Sequence, residues 1–402
     1  MENFRICPSA EKCGGCCYQG VSYEDQLKNK AGEVRRWLAD NGMDPEILSG
    51  IKPCTVRAAY RNKMEYTFGD EVKGGEMHLG LHQKGSFMNI IDVSECQLVP
   101  EDFNRILAAT LGFAREKGYK HYHKKTHEGL CRSLVLRRGV RSGELVVNIV
   151  TSSESLFDEE GYIKKILSLQ LDNTVVGILH TINDAAADAV ICDELRVLWG
   201  REYYNEEILG LKFQVGPFSF FQTNVEAAER LYSDALSLID GLEGKTVYDL
   251  YCGTGTITQA MALKAKKAIG VEIVEEAVQT ARESARVNGL TNCEFIAEDV
   301  NTALSKIAEK PDIIVVDPPR SGIIPKAMQQ ILDYGVQQII YISCNPKTMA
   351  INLKTARMCG YEVKSLQAYD NFPFTKHTEA IAVLEKTSAI LPGTDSGSAE
   401  IE

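Results

Sequence analysis

The spacing of apolar residues changes character at about residue 224. Before that point short alternating runs dominate: MEYTFGD, SLVLRRG, ELVVNIV and TVVGILHTIN. Alternation places apolar side chains on one face, which predicts half-buried strands, read here as antiparallel. A helix over 22–40 precedes them and another near 101–118 interrupts them. Ser22, with Asp25 three residues on, is the start signal of the first helix, and Asn41-Gly42 is its stop. From 224 onward NVEAAERLYSDALSLID reads as an amphipathic helix. The runs TVYDLYCG, AIGVEI, CEFIAED, DIIVVDPP and QIIYISC then alternate with helical segments, before YEVKSLQAYD and a final strand TEAIAVLE. These runs are continuously apolar, as strands covered on both faces are. The pattern predicts an α/β C-terminal domain with a mostly parallel, doubly wound sheet, and an α+β central domain before it. The expected boundaries are 1–50 for a cysteine-bearing segment and helix, 51–220 for the central domain and 221–386 for the doubly wound domain. A small, polar and acidic tail over 387–402 is expected to be disordered.

A length of 402 residues accommodates two or three domains. No apolar run reaches the ~18 residues of a membrane span, and the opening MENFRICPSA lacks the apolar core of a signal peptide. A cytoplasmic protein with no membrane partner is therefore expected, and no obligate protein partner is evident. In that compartment the 12 cysteines stay reduced, so clustered ones read as metal ligands rather than disulfides. The net charge of −11 argues against a nucleic-acid partner, but the average hides a patch. Residues 115–141 carry nine Lys or Arg against two Glu, plus three histidines, a local balance of +7 that can neutralise phosphates.

In an open α/β sheet, ligands bind beyond the carboxyl ends of the strands. The first strand of the doubly wound part ends D-L-Y-C-G-T-G-T, where Gly253 and Gly255 let the backbone turn tightly and approach a ligand. Glu272 ends the second strand, where a carboxylate can accept both ribose hydroxyls of an adenosine. Asp299 ends the third, placed to receive the adenine amino group or a neighbouring amide. The turn has no third glycine and no basic clamp for a pyrophosphate. A nucleoside with an uncharged tail fits better than a dinucleotide, and S-adenosylmethionine (SAM) is the natural candidate.

Two further strand ends carry chemistry. In IIVVDPPRSG, Pro318 and Pro319 stiffen the loop and hold Asp317 at the sheet edge with its carboxylate aimed outward. In IIYISCNPKT, Cys344 lies where a strand passes into a helix, whose N-terminus is expected to lower the thiol pKa. Glu379 stands just before the last strand. Cys, Asp and Glu beside a methyl donor suit one reaction in particular. A thiolate adds to carbon 6 of uracil, carbon 5 becomes nucleophilic and takes the methyl group, and a carboxylate removes the carbon-5 proton so that the thiolate can leave.

The start of the chain holds Cys7, Cys13, Cys16 and Cys17, three of them in the spacing C-x5-C-x2-C. Zinc or a [4Fe–4S] cube would need a fourth thiolate. Cys17 is a poor choice because adjacent side chains diverge, which leaves Cys54 or Cys96. Spacing does not separate zinc from iron.

FSFFQTN, DLYCGTGTIT, VVDPPRSG, ISCNP and HTEAIAVLE, in this order, resemble the bacterial RNA 5-methyluridine methyltransferases over about residues 213–386. The resemblance implies a Rossmann-like SAM methyltransferase domain, with Cys344 as nucleophile and Glu379 as base. It implies SAM contacts from Gln222, Tyr251, Glu272, Asp299 and Asp317. Members acting on 23S rRNA bind a [4Fe–4S] cluster, and Cys7, Cys13, Cys16 and Cys96 match its four ligands; zinc is the alternative. The tRNA-modifying branch lacks the cluster, so the resemblance favours 23S rRNA. The thiolate mechanism needs no electron, so the cluster is read as structural. Many relatives carry a small β-barrel RNA-binding domain, TRAM, before the cysteines. Here Cys7 follows only six residues, so RNA binding is expected to rest on the central domain, including 115–141. The rival readings are a tRNA methyltransferase, a small-molecule SAM enzyme and a non-enzymatic RNA-binding iron–sulfur protein.

Overall fold

The computed structural model describes residues 5–185 and 192–387; the expected tail from 388 on lies outside the described residues. The chain forms two compact units that are not consecutive stretches. One comprises the chain up to Gln26, Pro53–Arg230 and Asn371–Lys376, and the other Leu27–Lys52, Leu231–Asp370 and the chain from His377.

The chain opens with α1 (Tyr23–Asp40) and β1 (Leu48–Lys52). The Ser22 hydroxyl accepts from the Asp25 N–H at 3.1 Å, and Gly42 takes φ 71° just past the helix, so both signals act as expected. Next come β2 (Lys63–Asp70), β3 (Met77–His82), β4 (Ile90–Asp92), α2 (Glu101–Glu116), β5 (Cys131–Arg138), β6 (Glu144–Thr151), α3 (Glu159–Leu167), β7 (Thr174–Ile182) and β8 (Glu194–Gly200). A hairpin of β9 (Tyr204–Ile208) and β10 (Leu211–Val215) follows.

The seven-stranded sheet of the first unit runs β4-β3-β2-β5-β6-β7-β8. All its pairs are antiparallel except β6 with β7, which is parallel. The expectation of a purely antiparallel sheet is corrected here. Between β6 and β7 the chain makes α3, capped by Asp158, and a helical crossover returns a strand in the same direction.

After α4 (Val225–Ser237) come β11 (Thr246–Leu250), α5 (Thr256–Ala262), β12 (Lys267–Glu272), α6 (Glu275–Val287), β13 (Cys293–Ala297), α7 (Val300–Lys306) and β14 (Ile313–Val316). The last elements are α8 (Pro325–Asp333), β15 (Gln338–Ser343), α9 (Pro346–Met358), β16 (Tyr361–Tyr369) and β17 (Glu379–Lys386). The sheet of the second unit runs β1-β16-β17-β15-β14-β11-β12-β13. Its pairs are parallel except where β17 inserts antiparallel between β15 and β16. This is a Rossmann-like, doubly wound fold. The β11, β14 and β15 strands are buried along their whole length, as continuous apolar runs require. On α1, Ala31, Val34 and Leu38 recur at helical spacing and pack into the same core as Tyr248, Ile314 and Leu366. Among the described residues no helix is long and apolar enough to cross a membrane.

Candidate active site

The turn after β11 carries the glycines singled out above. Tyr251 itself adopts φ 68°, a left-handed conformation that a bulky residue takes only where its surroundings impose it. Its N–H and that of Cys252 both donate to the Val271 carbonyl, at 2.9 and 3.0 Å, which fixes the turn against β12. Gly255 has φ 75°, and a Cβ there would lie 2.5 Å from the Phe295 ring, so both conformation and packing demand glycine. Glu272 Oε2 accepts from the Gly253 N–H at 3.1 Å, so this carboxylate lies against the glycine turn. Asp299 caps α7, accepting from the Asn301 N–H at 3.0 Å and its side-chain amide at 2.8 Å. Burial and the Asp299 charge push the Tyr251 hydroxyl up to about 12. Asp249, which sequence reasoning passes over, is fully buried beneath the turn and accepts from the Thr258 hydroxyl at 2.6 Å. Burial, aided by Asp317 and Glu272, raises it to about 7.

Asp317 follows β14. That strand lies inside the sheet, between β11 and β15, so Asp317 is at a strand end and not at the sheet edge. Its N–H donates to the Leu250 carbonyl at 3.2 Å, and burial pushes its carboxyl up to about 7. Cys344 follows β15, and the register that pairs Ser343 with Ala380 brings Cys344 opposite Glu379 one step further. Glu379 is 8% exposed at the start of β17, where it pairs with Tyr369; a surface position for it is excluded. Burial raises Glu379 to about 8, Asp317 adds to the rise and Arg320 opposes it.

The expectation for the Cys344 thiol is reversed. Burial first, then the charges of Glu379 and Asp317, push it up to about 11, against the opposing charge of Arg320. The N-terminus of α9 does stand next to it, but two carboxylates from neighbouring strands and the loss of water outweigh that end of the helix. Arg320, in the quoted VVDPPRSG, is thus a cation of this site that sequence reasoning left unassigned. Its guanidinium meets His377 Nδ1 at 3.3 Å.

Tyr251, Glu272, Asp299, Asp317, Cys344 and Glu379 therefore all stand at one end of the sheet of the second unit. Gln222 belongs to the first unit, half-buried just before α4, with its carbonyl accepting from the Asn62 amide at 3.1 Å. A cavity of about 410 Å³ opens instead at the amino end of β13, beside Arg282, Leu290 and Cys293, away from these residues.

In the first unit the cysteine loop pairs with the end of β3: Cys13 bridges Gln83, and the Gly14 N–H donates to the His82 carbonyl at 3.1 Å. Burial first, then Cys96, Cys13 and Cys7, push the Cys16 thiol up to about 12, so these four sulfurs are neighbours. The Gly15 N–H donates to Cys13 Sγ at 3.3 Å. Cys17 is exposed, and Cys54 Sγ is directed at the Val56 carbonyl at 3.0 Å. Among the described residues, however, no three His, Cys, Asp or Glu side chains converge as a ready metal-binding group. The donor chemistry of the four thiols fits a thiolate-held group, while their described positions do not form one.

The basic stretch needs correction as an RNA surface. Strand β5 runs through its second half and is covered on both faces, so Arg132 and Arg137, which alternation sends to opposite faces, are both buried. The Arg132 guanidinium lies 4.0 Å over the Tyr122 ring and donates to the Asn183 carbonyl. Arg115, Lys117 and Arg141 are in ion pairs with Glu76, Asp158 and Glu229. The exposed remainder, such as Lys120 and Lys125, is a smaller patch than the charge count implies.

A doubly wound sheet with a strained glycine turn and acids at successive strand ends is the architecture of a SAM-dependent methyltransferase. A family profile described as tRNA (Uracil-5-)-methyltransferase matches residues 205–387. An uncharacterized RNA methyltransferase of Caldanaerobacter subterraneus is 48% identical over 381 residues, covering 95% of this chain and 84% of that protein. Another, of Clostridium tetani, is 45% identical over 384 residues, covering 96% and 84%. The crystal structure of the Pyrococcus abyssi tRNA (uracil-54, C5)-methyltransferase with S-adenosyl-L-homocysteine matches with a TM-score of 0.76 at 26% identity, over 92% of this chain and 86% of that one. The chain belongs to the RNA uracil-5-methyltransferase family. It is an RNA methyltransferase that uses SAM.

Proposed function

We propose that this enzyme methylates carbon 5 of a uridine in 23S rRNA through a covalent Cys344 adduct resolved by Glu379. The observation that supports this most is the pairing of Ser343 with Ala380, which sets the next residues, Cys344 and Glu379, at the adjoining termini of antiparallel neighbours. Cys344 Sγ bonds carbon 6 of the uracil, its proton passing to a neighbouring carboxylate. The carbon 5–carbon 6 double bond is spent in making an enolate. SAM would be held at the strand ends by Tyr251, Glu272, Asp299 and Asp317, and would give its methyl group to carbon 5, leaving as S-adenosylhomocysteine. Glu379 then takes the carbon-5 proton, the ring double bond re-forms and the sulfur leaves as thiolate. Burial makes Glu379 a stronger base than an ordinary carboxylate, with about half of it ionised near pH 8.

The 23S rRNA assignment rests on the four cysteines, Cys7, Cys13, Cys16 and Cys96, as ligands of a [4Fe–4S] cluster. Such a cluster would brace the N-terminal loop, and no step of the methylation passes through it. The second reading is a tRNA substrate, favoured by the names of the matching family profile and of the Pyrococcus abyssi structure. The test incubates the enzyme with total RNA from a strain lacking the gene and labelled SAM. Label in 23S rRNA is expected; label in tRNA alone selects the second reading. On denaturing gels Cys344→Ala should form no protein–RNA adduct, whereas Glu379→Gln should accumulate one. A normal methylation rate in Cys344→Ala refutes the mechanism.

A further inference from the structure

Lys30 on α1 and Asp370 at the end of β16 form an ion pair with N–O 2.5 Å, and both side chains are 0% exposed. They are 340 residues apart in the chain. Lys30 Nζ also donates to the carbonyl of His377 at 2.9 Å. Glu379 lies two residues beyond His377, and its strand partner Tyr369 directly precedes Asp370. One ammonium thus grips both strands at the neck from which Glu379 emerges. A second link runs from the same residue: the His377 ring meets Arg320, whose charge acts on both Cys344 and Glu379.

A fully buried ion pair is a poor device for stability alone, because desolvation offsets most of the attraction, and an apolar pair of similar size often does as well. It does define geometry: a carboxylate and a carbonyl must both converge on one nitrogen. An ammonium with three donors meets that demand, and an apolar side chain does not. We propose that Lys30 is a positioning residue for the proton-removal step, clamping Asp370 and the His377 carbonyl so that Glu379 is held where it reaches the carbon-5 proton. This rests on the reading of Glu379 as the base.

The step at risk is the last one. Cys344 is carried by β15 and α9, whereas Lys30 bonds Asp370 and the His377 carbonyl at the termini of β16 and β17, so adduct formation and methyl transfer should survive the loss of the clamp. Elimination should not, since a displacement of about 1 Å can slow a reaction by about 10²-fold. Lys30→Met alone leaves the Asp370 carboxylate buried without its cation and invites unfolding. The informative protein is the double variant Lys30→Met with Asp370→Leu, in which both charges are gone, checked for a cooperative melt. Wild type, the double variant and Glu379→Gln are incubated with total RNA from the deletion strain and labelled SAM. Expected is a double variant that labels RNA in the first turnover at close to the wild-type rate, yet turns over about 10²-fold more slowly. Its methylated protein–RNA adduct should persist on a denaturing gel, as in Glu379→Gln. If Glu379→Gln accumulates adduct and the folded double variant does not, the positioning role is overturned and the base assignment stands. Loss of first-turnover labelling together with turnover reveals a merely structural pair and also overturns it. If Glu379→Gln turns over normally, the base assignment falls and this inference falls with it.

Discussion

Alkylation of Cys344 measures the balance of forces at the end of β15. Two arguments compete there. The start of α9 favours a thiolate, as a helix N-terminus does. Burial and the carboxylates of Glu379 and Asp317 favour the thiol and win, pushing it up to about 11. At pH 8 an ordinary cysteine of pKa about 8.5 is roughly one-quarter thiolate, whereas Cys344 should be about one part in 10³. The ionised fraction is therefore about 250-fold smaller. A more basic thiolate is also a better nucleophile, and a Brønsted slope of about 0.45 across 2.5 pH units recovers roughly 13-fold. The net expectation is alkylation about 20-fold slower than a free thiol at pH 8. The rate should keep rising about tenfold per pH unit through pH 10, where an ordinary thiol has already levelled off. Iodoacetamide labelling, read by mass spectrometry of the peptide containing Cys344, separates this thiol from the other eleven. Glu379→Gln removes the largest opposing charge and should move the profile to lower pH; Arg320→Gln should move it to higher pH. A wild-type profile that levels off at or below about pH 8.5 would refute the reasoning, because the helix end would then outweigh burial and both acids.

Two more outcomes follow from the same residues. Glu379 is raised in the folded protein from 4.5 to about 8, so its contribution to stability is fully present below about pH 4.5 and lost as pH rises through about 8. Glu379→Gln does not ionise, so its melting temperature relative to wild type should climb from pH 5 to 8.5, reflecting at most a few kcal/mol; a difference that stays flat with pH contradicts the burial of this carboxyl. For the cysteines, protein purified without oxygen should contain iron and sulfide in equal amounts. Cys96→Ser should lose both while Cys17→Ser keeps them; zinc in place of iron, or retention in Cys96→Ser, overturns the assigned ligands.

The parts of this molecule that were legible in the sequence are those fixed by neighbours along the chain. The first helix shows its start at Ser22 and its stop at Gly42, and both work through hydrogen bonds or dihedrals within a few residues. The strands β11, β14 and β15 announce themselves because burial on both faces leaves no room for alternation. The parallel pairing of β6 with β7 was not legible, because α3 between them is a modest helix and the direction of pairing depends on where it leads the chain. The basic stretch misled for a similar reason. Counting charges says nothing of which side chains a strand turns inward, and Arg132 over Tyr122 is spent inside the fold.

The site divides along the same line. Cys344 and Asp317 are each visible as a residue type at the end of an apolar run, and Glu379 at the start of one. What they do depends on the insertion of β17 between β15 and β16, which brings Glu379 opposite Cys344 and within electrostatic reach of Asp317. Each group then resets the others: the acids raise the thiol, Asp317 raises Glu379, and Arg320 restrains both. The expectation of a lowered thiol pKa used the one neighbour that lies next to Cys344 in the sequence, the helix that follows it. The stronger neighbours are 27 positions before it and 35 after it, at Asp317 and Glu379. Lys30 and Asp370 are further apart still, and neither belongs to a motif. The protonation of this site is a property of three strand termini meeting, and no single segment sets it.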